Sequence, residues 1–240
     1  MAARVCVFCL AFLLGTLGAR DESSELIVWN VGQGQWATII DGQACWHLDM
    51  GGEFAPWRAI RAACRSRQNV LSLSHWDMDH LDFVGGARSQ LPNLCLLNAP
   101  LGRSSPRKES LLAGIPTCPF KSPYVQWSNP AGKTANAKSW VVLWRGVLAP
   151  GDSPRDQEQH WIGQLEGLSA TRILILGHHG SRTSTSRGLL SSLPHLQVAI
   201  ASSRFKRYHH PHAEVVHELL NAHVPLLRTE EWGTIHLRLD

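Results

Sequence analysis

From residue 26 onward, short apolar runs bounded by glycine, proline and small polar residues alternate with stretches of helical spacing. Leu26 to Asn30, Trp36 to Ile40 and Ala44 to Leu48 predict three strands, the first two joined by the glycine-containing turn Val31-Gly32-Gln33-Gly34-Gln35. This meander ends at Asp49-Met50-Gly51-Gly52. Pro56 to Arg67 then carries Trp57, Ile60 and Cys64 at helical spacing, with Pro56 suited to a first turn. Val70 to Ser74 predicts a buried strand. Between Asn98 and Pro123, proline, glycine and serine dominate, which predicts a long loop or small excursion. Strands resume at Ser139 to Trp144, Gly146 to Ala149, Arg172 to Leu176 and Leu196 to Ala201. Helical patterns cover Gln157 to Leu165, Ser186 to Leu193 and His212 to Ala222. There is no internal repeat, and two sheets between outer helices accommodate this order in an α/β domain.

The strongest candidate chemistry follows one of these strands. Ser74-His75-Trp76-Asp77-Met78-Asp79-His80 sets four metal-ligand side chains within six positions. Imidazole nitrogen with carboxylate oxygen suits zinc, manganese or iron, whereas calcium takes oxygen alone. The spacing cannot lie on one helical face, but a loop leaving a strand end can turn all four groups inward. Further histidines and carboxylates close other predicted strands, at Gly151-Asp152 and at Gly177-His178-His179-Gly180-Ser181.

Composition bounds the rest. The chain has 240 residues, 44% hydrophobic and 18% charged, which fits one sizeable domain. Arg4 precedes an apolar run from Val5 to Leu17, and Gly18-Ala19 then gives way to Arg20-Asp21-Glu22, the pattern of a secretory signal over residues 1–19. That run is short for a membrane span; an uncleaved membrane anchor is the alternative to a secreted or periplasmic protein. Of six cysteines, Cys45, Cys64, Cys95 and Cys118 remain after the leader, and they allow three disulfide pairings or none. The net charge of +4 is modest. Its distribution is more informative: Arg58, Arg61 and Arg65 share a helix face, Arg103, Arg107 and Lys108 crowd a loop, and Arg204, Lys206 and Arg207 stand beside histidines, so that a polyanion could lie across them.

Taken in order, Val31-Gly32-Gln33-Gly34, Leu48-Asp49-Met50-Gly51-Gly52, His75/Asp77/Asp79/His80, Asn136 with Ser139, Gly151-Asp152, His178-His179-Gly180-Ser181 and Tyr208-His209-His210-Pro211-His212 form a specific set. Through them residues 26 to 240 resemble the metallo-β-lactamase superfamily, specifically the ComEC/Rec2-like metallohydrolase domain of competence proteins. The resemblance implies an αββα four-layer sandwich over residues 20–240. It also implies two divalent metal ions, zinc or manganese: His75 and Asp77 would hold one, Asp79 and His80 the second, Asp152 would bridge both, and one of His178 and His179 would complete the set, His178 coming first after the strand. Asp79 is expected to orient the attacking water, and Ser181, Asn136 and His210 to contact a phosphate or leaving oxygen. The pattern departs at Asn30 and Gln35, where the family carries aspartates. Asp82 is a further carboxylate beside the ligands.

The implied activity is phosphodiester hydrolysis by a hydroxide shared between two cations roughly 3.5 to 4 Å apart. Full-length competence proteins carry a membrane channel and an oligonucleotide-binding region ahead of this domain, so this chain is expected to be the hydrolase unit alone. An exported nuclease acting on DNA, with single-stranded DNA favoured as partner and no stable membrane partner, is the leading expectation. A hydrolase of small phosphodiesters or other esters, phosphocholine esterase-like or lactonase-like, and a non-catalytic metal- or nucleic-acid-binding module are the alternatives. Trp29, Trp36, Trp140 and Trp144 sit on strand patterns and are expected in the core. The sequence leaves oligomeric state open.

Overall fold

The structure is a computed structural model and describes residues 24–239; the leader expected over residues 1–19, with Cys6 and Cys9, lies outside them. β1 (Ser24–Val28), β2 (Ala37–Asp41) and β3 (Ala44–Leu48) form the expected antiparallel meander. α1 (Trp57–Cys64) then carries the chain to β4 (Gln68–Ser72), parallel to β3. After the single turn α2 (Met78–Leu81), α3 (Val84–Gln90) leads to β5 (Leu94–Asn98), parallel to β4.

The second half repeats the plan. α4 (Pro106–Ser110) interrupts the long excursion, and β6 (Val125–Trp127), β7 (Val141–Trp144) and β8 (Val147–Ala149) pair antiparallel. Then α5 (Arg155–Trp161) leads to β9 (Ile173–Ile175), α6 (Arg187–Ser191) to β10 (Val198–Ala201), and α7 (Phe205–Tyr208) with α8 (Ala213–Asn221) to β11 (Leu226–Arg228). These strands run parallel to their neighbours. α9 (Thr229–Trp232) precedes β12 (Ile235–Leu239), which crosses to the other sheet and closes its edge beside β1. The two six-stranded sheets therefore read β12-β1-β2-β3-β4-β5 and β11-β10-β9-β8-β7-β6.

Three apolar clusters define four layers. Leu26, Val28 and Ile39 of the first sheet meet Val142, Ile173, Ile175 and Ile200 of the second between the sheets. Ile27, Leu71 and Leu73 face α1 and α3 on the outer side, with Ile60 and Ala87 packed against them. Val141, Leu148 and Leu174 face the helices of the other side, with Trp161, Leu189 and Leu219. Alternate residues of one strand thus serve different layers, because successive side chains of a strand point to opposite faces. This is the expected αββα sandwich. Among the described residues no helix is long and apolar enough to cross a membrane.

Cys45 bonds to Cys64 and Cys95 to Cys118, tying α1 to β3 and the excursion to β5. The excursion between Asn98 and Pro123 is more ordered than a plain loop: Ser105 caps α4, and Leu96 bridges to Thr117. Trp29 and Trp36 are core residues, whereas Trp140 and Trp144 are only half-buried. Trp140 donates from Nε1 to the Ala99 carbonyl at 2.9 Å, so its ring covers a loop instead of filling a layer. No expected strand or helix corresponds to α3, β5, β6, β11 or β12. α3 carries Gly85 and Gly86 where good helix formers would signal it, and β11 has only three residues.

A polar chain also crosses the first sheet. Trp29 Nε1 donates to Thr38 Oγ1 at 2.8 Å, and His47 Nδ1 lies 2.9 Å from that hydroxyl and accepts from Trp36 Nε1 at 3.2 Å. His47 Nε2 in turn donates to Asn69 Oδ1 at 3.0 Å. Indole N–H groups only donate, so His47 Nδ1 is held as an acceptor.

Candidate metal centre

The singled-out residues meet at one end of the sandwich, at the loops after β3, β4, β8, β9 and β10. Two glycines let the loops approach. A Cβ on Gly51 would run into the Asp79 carbonyl, and one on Gly151, whose φ is +56°, would stand 2.7 Å from Ser74 Cβ. Gly151 therefore sets the loop bearing Asp152 directly on the loop bearing His75.

Two compact donor groups result, His75 with His80 and Asp152, and Asp79 with His80 and His179. His80 Nε2 lies 3.0 Å from Asp152 Oδ1 and 3.2 Å from His179 Nε2, and His179 Nε2 lies 3.1 Å from Asp79 Oδ2. His75 Nε2 is 3.6 Å from Asp152 Oδ2 and 3.5 Å from Asp77 Oδ2. Asp77 precedes α2, and Lys108 from the excursion reaches it at 3.6 Å while donating to the Trp76 carbonyl.

The surroundings decide which ring nitrogens face inward. His179 Nδ1 donates to the Ser202 carbonyl at 3.0 Å and His80 Nδ1 to Asp49 Oδ2 at 2.8 Å. Ser74 Oγ donates to Asp49 Oδ2 at 2.8 Å and so accepts from His75 Nδ1 at 2.9 Å. Each acceptor claims an Nδ1–H, which leaves the Nε2 lone pair of all three rings directed into the cluster. His75 Nε2 and Asp152 Oδ1 are buried without a hydrogen-bond partner, the His80 contact to Asp152 being too poorly aligned to count as one. Converging lone pairs and carboxylates, with orphaned buried atoms among them, fit divalent cations with nitrogen and oxygen ligands.

The same carboxylates also attract protons, which a bound cation would have to displace from His80. Burial alone would lower the His80 pKa, but Asp152 and Asp49 outweigh it and hold the ring well above the usual histidine range. Burial would raise Asp152, yet His80, His75 and His179 keep it well below the usual carboxylate range. Asp79 is also held low, with burial opposed by His179 and His80.

Of the His178/His179 pair, His179 is the buried member of a donor group, whereas His178 is one-third exposed, with Nε2 3.5 Å from Asp152 Oδ2 and Nδ1 3.1 Å from Thr183 Oγ1. Both have positive φ, 48° and 57°, which turns two consecutive side chains toward the same end of the sandwich at the cost of backbone strain. The Ser181 hydroxyl lies 3.0 Å from Thr183 Oγ1, and its backbone N–H donates to the His178 carbonyl at 2.8 Å. His210 stands with its ring 6.1 Å from that of His178. Asn136 opens the turn that leads to Ser139, whose Oγ accepts from Asp152 N at 3.2 Å; among the described residues no hydrogen bond joins the Asn136 side chain to the cluster. Asp82 is exposed and outside both donor groups.

Several supporting residues had no role in the sequence reading. Asp49 accepts from Ser74 N at 2.7 Å and from Gln35 Nε2 at 3.2 Å besides His80 and Ser74 Oγ. The buried Glu158 accepts from Thr185 N and Ser186 N at 2.5 and 2.9 Å, pinning the loop after the histidine pair. Asp49 had a usable signal, an acidic residue at a strand end before two glycines. Glu158, inside an ordinary helical pattern, had none.

A two-sheet αββα sandwich with a His/Asp cluster at the sheet ends makes this chain a metallo-β-lactamase-fold protein. Solved structures with this fold overlay it: the metallo-β-lactamase fold protein YhfI from Bacillus subtilis, with a TM-score of 0.54 over 90% of this chain and 99% of that one at 11% identity, and a diphosphatase from the PhnP family, at 0.55 over 90% and 98% and 12% identity. In sequence it is similar to competence proteins, as its motifs indicated. Competence protein ComA of Neisseria gonorrhoeae is 27% identical over 91% of this chain and 33% of its own length. ComE operon protein 3 of Bacillus subtilis (strain 168) is 32% identical over 46% of this chain and 14% of its own length, and recombination protein 2 of Haemophilus influenzae 30% identical over 62% and 19%. The chain thus spans one third or less of these relatives. No protein-family model matches it.

Proposed function

We propose that this chain is an exported metal-dependent phosphodiesterase that cleaves DNA. The observation that carries the reading is the convergence of three Nε2 lone pairs on two carboxylates, those of His75 and His80 beside the buried Asp152 and those of His80 and His179 beside Asp79. His80 belongs to both donor groups, Asp152 lies 3.0 Å from its Nε2, and Asp77 stands beside His75. Divalent cations held there would supply Lewis acidity and an acidified water near neutral pH. The chain's own part is to bind and orient. His75 and Asp152 would define one position, and Asp79, His80 and His179 the other. The half-exposed Asp79 and the more open His178 and His210 border the side from which a phosphate would enter.

Relatives named for competence and recombination support DNA as the polymer. The two disulfides support an oxidising compartment, hence export. The test is hydrolysis of single-stranded DNA and of bis-p-nitrophenyl phosphate by the purified protein with manganese, zinc and magnesium compared. Metal-dependent cleavage of both, lost in Asp152→Ala, is the expected result. Turnover of the small ester alone would replace the nuclease reading by a small-diester one, and no turnover with full metal occupancy would leave a binding module.

A further inference from the structure

α7, which runs into the segment bearing His210, carries exposed aromatic rings, and α9, bound to it through Glu230, carries another. Phe205 and Tyr208 are 46% and 40% exposed, and Trp232, at 69%, is the most exposed large hydrophobic among the described residues. Cations back two of the three: Arg228 Cζ lies 6.0 Å from the Phe205 ring centre and Arg207 Cζ 5.2 Å from that of Tyr208. Glu230, two residues before Trp232, accepts from Phe205 N at 2.7 Å and binds α9 to the start of α7. The surface is held in register with the metal centre. Glu53 accepts from Arg204 and Arg207, both at 2.9 Å, and from Gln33 N at 3.2 Å, while Gln33 Oε1 accepts from Arg204 N at 3.1 Å. From Tyr208 the chain continues to His210, whose ring neighbours His178, itself 3.5 Å from Asp152.

We propose that this face is a stacking track that leads a single-stranded nucleic acid into the metal centre, its bases laid on Phe205, Tyr208 and Trp232; the proposal rests on the phosphodiesterase reading above and names the form of its polymer. The charge on the track indicates how it would hold the strand. Arg204, Lys206, Arg207 and Arg228 face Glu53, Glu230 and Glu231, four cations against three carboxylates, and ion pairs occupy three of the cations. A net charge of +1 offers little counterion release. Stacking, which any unpaired base can supply and a closed duplex cannot, is therefore the larger contribution, and guanidinium groups behind the rings add to it.

The experiment is fluorescence anisotropy of a labelled oligothymidylate of about 12 nucleotides, titrated with the full chain in EDTA so that no cleavage intervenes. Phe205→Ala and Tyr208→Ala should each weaken binding roughly tenfold, Tyr208→Phe should bind like the parent, and a duplex of the same length should bind less tightly than the single strand. Because all three rings are exposed, the variants should melt with the parent. Unchanged affinity in both alanine variants, equal losses in Tyr208→Phe and Tyr208→Ala, or tighter binding of the duplex would each overturn the track. Its failure is separable from failure of the phosphodiesterase reading: a parent that cleaves DNA while the alanine variants bind normally refutes only the track, and a parent that binds through these rings without cleaving under any metal refutes only the hydrolase.

Discussion

Asp49 Oδ2 stands 2.8 Å from His80 Nδ1, and the same oxygen accepts from Ser74 Oγ, which in turn accepts from His75. One buried carboxylate therefore orients ring nitrogens that belong to both donor groups. Asp49→Asn would set an amide against the His80 N–H and remove the charge that fixes its tautomer. Loss of such a support weakens metal binding by about 10- to 100-fold. Chelator competition on the refolded, metal-loaded variant measures it; affinity within twofold of the parent would deny Asp49 that role.

The two histidines after β9 should separate in a metal analysis. His179 is buried and faces Asp79 and His80, while His178 is partly open and, of the cluster's carboxylates, approaches Asp152 at 3.5 Å. His179→Ala is expected to lose about one bound metal equivalent and His178→Ala to keep most of its metal, because only His179 shares a compact donor group. The reverse pattern, read by inductively coupled plasma spectrometry, would move the ligand to His178.

Acid should weaken the first sheet through His47. Burial lowers its pKa from 6.5 to about 4, against the raising effect of Asn69, and its Nδ1 faces the Trp36 N–H, which could not accept from a protonated ring. Between these two values the unfolded chain binds a proton at His47 that the folded chain does not. The contribution is complete above about pH 6.5 and is lost as pH falls toward 4, about 3 kcal/mol in all. Urea unfolding of the parent and of His47→Asn at pH 7.5 and pH 4.5 tests it: the stability gap between them should narrow at the lower pH, and a constant gap would refute the assignment.

Reduction should destabilise the fold without changing its topology. The pairs Cys45–Cys64 and Cys95–Cys118 close loops with sequence separations of 19 and 23. Loops of this size are each worth about 3 kcal/mol when crosslinked. Urea midpoints of the parent and of the Cys45→Ala/Cys64→Ala and Cys95→Ala/Cys118→Ala double variants, with and without reductant, report each bridge. Coincident midpoints throughout would show that the bridges do not form in solution.

The sequence was most informative where a local rule governs the outcome. Short apolar runs placed β1, β2 and β3 to within two residues, since a strand between two apolar layers must carry apolar side chains on both faces. Strand-end motifs marked the ligand-bearing loops, because Gly51 and Gly151 are needed wherever two backbones nearly touch. It was least informative where contact partners lie far apart along the chain. Nothing local distinguishes the half-buried Trp140 from the core residue Trp36, or shows that Glu53 would be shared by Arg204 and Arg207.

By itself, then, the amino-acid order determined the alternating elements, the layered class of fold and the donor types gathered at strand ends, all consequences of periodicity and side-chain chemistry within a few residues. Only the tertiary structure decided which ring nitrogen of each histidine faces inward, which cysteines pair, and that α9 with its exposed ring is bound to α7 through Glu230. Those outcomes depend on hydrogen bonds and packing between segments that are remote in sequence, such as His179 with Asp79, and no local spacing encodes the distance between them.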